Sequence, residues 1–288
     1  YLLRVRRTIC RELCAPSKRS NRLLRLLLPV YKGAVMEYPF DALHAGVESQ
    51  ILNLPAGIPD SQAVMQAKAL PDSTEKYMTL GKALSRQLRY REAIAAYTEG
   101  LKSDPENLPL LRLRAGRYLT TLQSGPAIAD FEKCLSLGAE KLDCRYRISL
   151  AHYYAGRYLR AMGSFESCLP LCDDEMGIAV LYWHTLSAVR AEKAPTLLNS
   201  YHSDMAMGHH TAYEKAMQVW SGTTPLSAML QTLESEKDDL EYGITLYGLL
   251  WHPDCTEKEC LSQSLLRRDG FWSSFAYLAA WKDWAGTQ

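Results

Sequence analysis

Between residues 74 and 175 the apolar positions recur at spacings of three and four, the period of helices that bury one face. The first stretch places Tyr77, Leu80 and Leu84 on one such face. After a break at Gln87–Tyr90, a second stretch places Ala93, Tyr97 and Gly100 on another. The pattern then repeats twice without gaps at an interval of 34 residues, over Thr74–Asn107, Leu108–Lys141 and Leu142–Glu175. Small residues return at Gly81, Ala115 and Ser149 and again at Ala93, Ala127 and Ala161, and an aromatic returns at Tyr97, Phe131 and Phe165. Two antiparallel helices approach closely only where one side chain is nearly absent, and the aromatic fills the space towards the next helix. Turn signals at Ser103–Asn107, Ser124-Gly125-Pro126 and Ala155-Gly156-Arg157 separate the helices, with Pro105 and Pro126 suited to a boundary or a first turn. The pattern predicts stacked helix pairs.

The rest of the chain is less regular. Ile244, Tyr247, Gly248 and Trp251, with Cys260 as the small residue of a partner helix, predict a further unit over residues 241–274. The intervening 176–240 has room for two more pairs. Its first helix (Val180, Trp183, Ser187) fits, whereas Pro195–Tyr201 departs from the pattern, so the region reads as degenerate repeats. Residues 275–288, with Phe275, Tyr277, Leu278, Trp281 and Trp284, read as a capping helix over the last open apolar face, which a stacked array needs for solubility. Residues 36–73, broken by Pro55, Pro59 and Pro71, read as N-terminal helices and a linker.

The three windows resemble the tetratricopeptide repeat family, with the large residue of the fourth position weakening from Tyr77 to Leu111 to Arg145. The resemblance implies an all-α, right-handed superhelical solenoid of antiparallel helix pairs with a C-terminal capping helix. It also implies that the first helix of each pair lines a concave groove that takes a protein or peptide partner. The groove positions would carry Lys82 and Arg86, then Arg112, then Tyr146, Arg147 and Tyr153, followed by Val180, Leu181 and His184. These cations and tyrosines suit an extended segment with acidic and apolar side chains. The subclass that binds chaperone tails uses Lys, Asn, Asn, Lys and Arg. Met78, Lys82, Leu113, Asp143 and Arg147 stand there, only Arg147 agrees, and Asp143 is expected to repel a terminal carboxylate.

Charge adds one feature. The net charge is +1, which gives no general case for nucleic acid, but residues 1–36 hold nine basic side chains against one acid. Residues 1–35 thus form a basic leader with an apolar run at Leu23–Leu28. It reads as a membrane-surface or transit-like segment, or as a disordered or non-native leader, since the chain begins at Tyr1 and Met36 is its first possible initiator. Membrane contact is expected only through this segment. A membrane-associated assembly factor and a peptide-sensing regulator are the alternatives to a scaffold, and the oligomeric state is left open.

Chemistry is hard to find. Eight cysteines include no C-x-x-C, and Cys134, Cys168 and Cys260 occupy small-residue positions, where a thiol packs as a small hydrophobe. Buried thiols suit a reducing, cytoplasmic setting. His209-His210 is the only histidine cluster, and neighbours on a helix diverge too far to share one metal. Phosphate loops, nucleophile elbows and H-E-x-x-H are missing, and Asp173-Asp174 and Asp238-Asp239 read as helix caps. The expectation is a protein that is not an enzyme, with no cofactor and no metal.

Overall fold

Ser73 and Asn107, 34 residues apart, start equivalent helices in the same way: Lys76 N–H donates to Ser73 Oγ at 3.1 Å and Leu110 N–H to Asn107 Oδ1 at 3.0 Å. The computed structural model describes residues 59–284; the basic leader and most of the 36–73 segment lie outside them. Every regular element among the described residues is helical, with no strand. The chain divides between Arg157 and Tyr158 into two compact units.

The first unit, as described, contains α1 (Gln62–Lys68), α2 (Thr74–Arg86), α3 (Tyr90–Ser103), α4 (Leu108–Thr120), α5 (Ser124–Ser136) and α6 (Lys141–Tyr154). Each helix packs on the next, and α4 also touches α6, as expected of a stack with nearest-neighbour contacts. Gly81, Ala115, Ser149, Ala93, Ala127, Tyr97 and Phe131 are all buried. Gly81 shows why the position must be small: a Cβ there would lie 2.2 Å from Tyr97 Cε1. The turns keep the register too. Arg89 N–H donates to Leu84 C=O, Gln123 N–H to Tyr118 C=O and Arg157 N–H to His152 C=O, closing each first helix with a six-to-one bond. The left-handed residue of each closure is Leu88 (φ 62°), Leu122 (φ 57°) or Gly156 (φ 71°), so the backbone repeats even where the sequence supplies leucine instead of glycine.

The second unit, as described, contains α7 (Tyr158–Glu166), α8 (Asp174–Arg190), α9 (Thr211–Trp220), α10 (Leu226–Glu234), α11 (Asp239–Leu250), α12 (Lys258–Leu266) and α13 (Phe275–Trp284). Residues 177–188 of α8 and 242–250 of α11 are buried on every side, the mark of central rather than surface helices. Tyr182 Oη donates to Ile244 C=O at 2.7 Å, joining the two, and α9 packs against both. Asp173 and Asp238 cap α8 and α11 as expected. The region 176–240 departs from two regular pairs: from Ala191 to His210 the chain forms only a 3-10 turn, Thr196–Ser200. That stretch is tied to the start of α8, where Asp174 Oδ2 accepts from Ala206 N–H and Glu175 Oε1 from His209 N–H. The terminal helix α13 lies on α11 and α12 with Tyr277, Leu278 and Trp281 buried. Its Asp283 forms a bidentate pair with Arg190 of α8 at 2.6 and 2.8 Å, and the Arg190 guanidinium lies 4.1 Å from the rings of both Tyr158 and Trp251. No described helix is long and apolar enough to cross a membrane.

Candidate functional site

The six residues singled out from the sequence all fall in the first unit, on the first helices of their pairs, and the structure divides them into three sets. Lys82 and Arg86 stand exposed on α2 and make no ion pair or side-chain hydrogen bond among the described residues. Arg112 of α4 and Arg147 of α6 are brought together by one carboxylate. Asp143 Oδ2 accepts from Arg112 Nε at 2.8 Å and its Oδ1 from Arg147 Nε at 2.9 Å. Tyr146 and Tyr153, at 7% and 2% exposure, are core residues and leave little surface for a partner. The tyrosine's apolar body and single hydroxyl allow either role, so sequence alone could not separate them.

The placement of Asp143 corrects its expected role. Burial pushes its carboxyl up, but the hydrogen bonds and charges of Arg112 and Arg147 outweigh that and hold it below the usual carboxylate range. Its charge is therefore engaged by two guanidiniums rather than left to repel a ligand. Asp143 also lies in the first turn of α6, where Glu140 caps its N–H and the helix N-terminus favours a negative charge. Beneath it, Cys134 and Cys144 are buried free thiols, and burial raises Cys134 to about 11, which keeps it protonated and inert at neutral pH.

Other cations of these helices face inwards. Arg114 reaches from α4 to α5, donating to both oxygens of Asp130 at 2.7 and 2.8 Å, and the Arg117 guanidinium lies 4.5 Å from the Tyr90 ring. They hold the first helices to the second.

In the second unit, Val180, Leu181 and His184, expected to continue the groove, have no exposed surface. His184 Nε2 lies 3.2 Å from Glu166 Oε1, and burial, opposed by Glu166, lowers its pKa. His209 and His210 edge a cavity of about 390 Å³ whose floor includes Tyr213 and Ile244. His210 Nδ1 donates to Glu175 C=O at 2.5 Å, so this histidine fixes a loop. No three His, Cys, Asp or Glu side chains converge to hold a metal among the described residues.

No protein-family model matches the chain. A stretch of 112 residues, 39% of the chain, is 29% identical to the mouse (Mus musculus) protein described as tetratricopeptide repeat protein 28, and spans 4% of that protein's length. Among solved structures, one described as MamA MSR-1 is 16% identical with a TM-score of 0.44, covering 63% of this chain and 93% of its own. A second, YrrB, described as a TPR protein with an unusual peptide-binding site, is 14% identical with a TM-score of 0.40, covering 75% of this chain and 96% of its own. Likenesses this shallow carry no argument, and the similarity lies in the helix pairs, their 34-residue register and the 112-residue match. In those features the repeats of this chain are similar to tetratricopeptide repeats.

Proposed function

We propose that this protein is a non-enzymatic interaction scaffold that captures an acidic segment of a protein partner on the first helices of its first unit. The observation that carries this reading is a difference between helix layers. Helices α2, α4 and α6 hold nine cations against two acids, whereas α3 and α5 hold three against four. Arg114 and Arg117 are spent on internal contacts, which leaves the other seven, Lys82, Arg86, Arg112, Lys141 and Arg147 among them, as the charged surface of that layer. Positive surface of this kind steers and orients carboxylate-bearing partners. Tyr146 and Tyr153 serve as support beneath the cations. The activity is binding without a cofactor, with protein rather than nucleic acid as the partner.

The test is affinity purification with mass spectrometry from the native cell. Lys82→Glu/Arg86→Glu should lose a partner that Lys102→Glu/Lys133→Glu, on the second helices, retains. Unchanged partners in the first variant would refute the reading. Arg112→Glu/Arg147→Glu is a poor probe, because it would set three carboxylates where Asp143 now joins two cations.

A further inference from the structure

Asp143 is one of only two acids on the three cationic helices, and it contacts both of the arginines expected to meet a partner. Both guanidiniums donate to it through Nε. The terminal amino groups of Arg112 make no hydrogen bond among the described residues, and its side chain is half exposed. The carboxylate itself is largely covered, at 23% exposure, and lies in a turn fixed by Glu140. An arginine fastened by one edge presents its remaining donors as a planar fork, a shape that matches a carboxylate. The same contact neutralises one of the two positive charges.

We infer that Asp143 is the specificity-determining residue of the cationic face, setting it to read spaced Asp or Glu side chains of a protein segment and to disfavour dense polyanions. This rests on the cationic-face reading above. Two physical effects combine. Dense polyanions gain mainly from total positive charge, which Asp143 lowers. A single carboxylate gains mainly from orientation, which Asp143 supplies by removing rotamer freedom from Arg112 and Arg147 before a ligand arrives.

The experiment is fluorescence anisotropy on the full chain with two probes, a short Glu-rich peptide carrying Leu at every third position and inorganic polyphosphate. Asp143→Asn should bind polyphosphate about fivefold tighter at low salt, from the loss of one nearby negative charge, and the peptide about threefold more weakly, from the loss of orientation. Equal gains for both probes, or no change in either, would overturn the role of Asp143. Wild-type protein with no affinity for the peptide would instead overturn the cationic-face reading. Should Asp143→Asn lose helical circular dichroism, Asp143→Glu keeps the charge and displaces the carboxylate. It should then weaken the peptide about threefold at unchanged polyphosphate affinity, and unchanged affinity for both probes counts against the proposal.

Discussion

The two units solve the same packing problem with different means. In the first, α2 to α5 keep an exposed face, α6 is buried through most of residues 148–154, and each touches mainly its neighbours, so the register of small and aromatic residues suffices to build it. In the second, α8 and α11 are buried all round, and a buried polar network of Arg190, Asp283 and Tyr247 fastens the terminal helix. Charge differs in the same sense: residues 59–157 carry fifteen cations against eleven acids, residues 158–284 nine against seventeen. The lesson is that a regular stack leaves a face of its helices exposed, while a centralised core uses its helix surfaces for itself.

The largest difference between the units should show at the buried ion pair. All six tryptophans lie in residues 158–284, so their emission reports the second unit alone. Arg190→Met should destabilise that unit by about 3–5 kcal/mol, because Asp283 would remain buried without a counter-charge, with Tyr247 Oη still donating to it. Urea unfolding followed by tryptophan fluorescence measures it, and a loss below about 1 kcal/mol would mean that the network contributes little.

Next in size is the close approach in the first unit. Gly81→Ala sets a methyl against Tyr97 and should cost about 1–3 kcal/mol. Gly116→Ala, in the interior of α4 with nothing within 4 Å of the added carbon, should instead gain roughly 0.5–1 kcal/mol. Circular-dichroism melts compare the two, and opposite signs are the expected result.

Acid should separate the units. The folded pKa of His184 lies below its ordinary 6.5, since burial disfavours the charged ring. Its contribution is complete above that value and is lost as pH falls below it, because the unfolded chain takes up a proton that the native state refuses. The folded pKa of Asp143 lies below its ordinary 3.8, so that contribution is lost only as pH falls beneath 3.8. Tryptophan-detected stability of the second unit should therefore decline from about pH 6.5 downwards, and His184→Gln should flatten the decline. A profile unchanged by His184→Gln would contradict the assignment. The smallest effect belongs to exposed pairs such as Lys102–Glu99: Lys102→Ala should shift stability by less than about 0.5 kcal/mol in the same melts.

How much of this the chain discloses by itself depends on the range of the interaction. Spacing within a helix and the fixed interval between Gly81, Ala115 and Ser149 are local, and they specified the helix pairs and their buried faces. Asp173 and Asp238 were legible as caps for the same reason. The left-handed turns at Leu88 and Leu122 were not, because leucine carries no signal for that conformation. Nor was the loop held by Asp174 and Glu175, whose partners lie more than thirty residues away. The candidate site was half legible. Residue type and register picked out Lys82, Arg86, Arg112 and Arg147, but Asp143 looked repulsive until the approach of α4 to α6 showed it between two arginines. Tyr146 and Tyr153 belong to the core for a reason the pattern does not encode, the closeness of neighbouring helices.

Whether the first-helix layer of the first unit is the binding face is open to direct test by backbone amide NMR. Titration of the full chain with the Glu-rich peptide should perturb α2, α4 and α6 around Lys82, Arg86, Arg112 and Arg147, with α3 and α5 unmoved. Perturbations confined to α3 and α5 or to residues 158–284, or none at saturating peptide, would contradict the account.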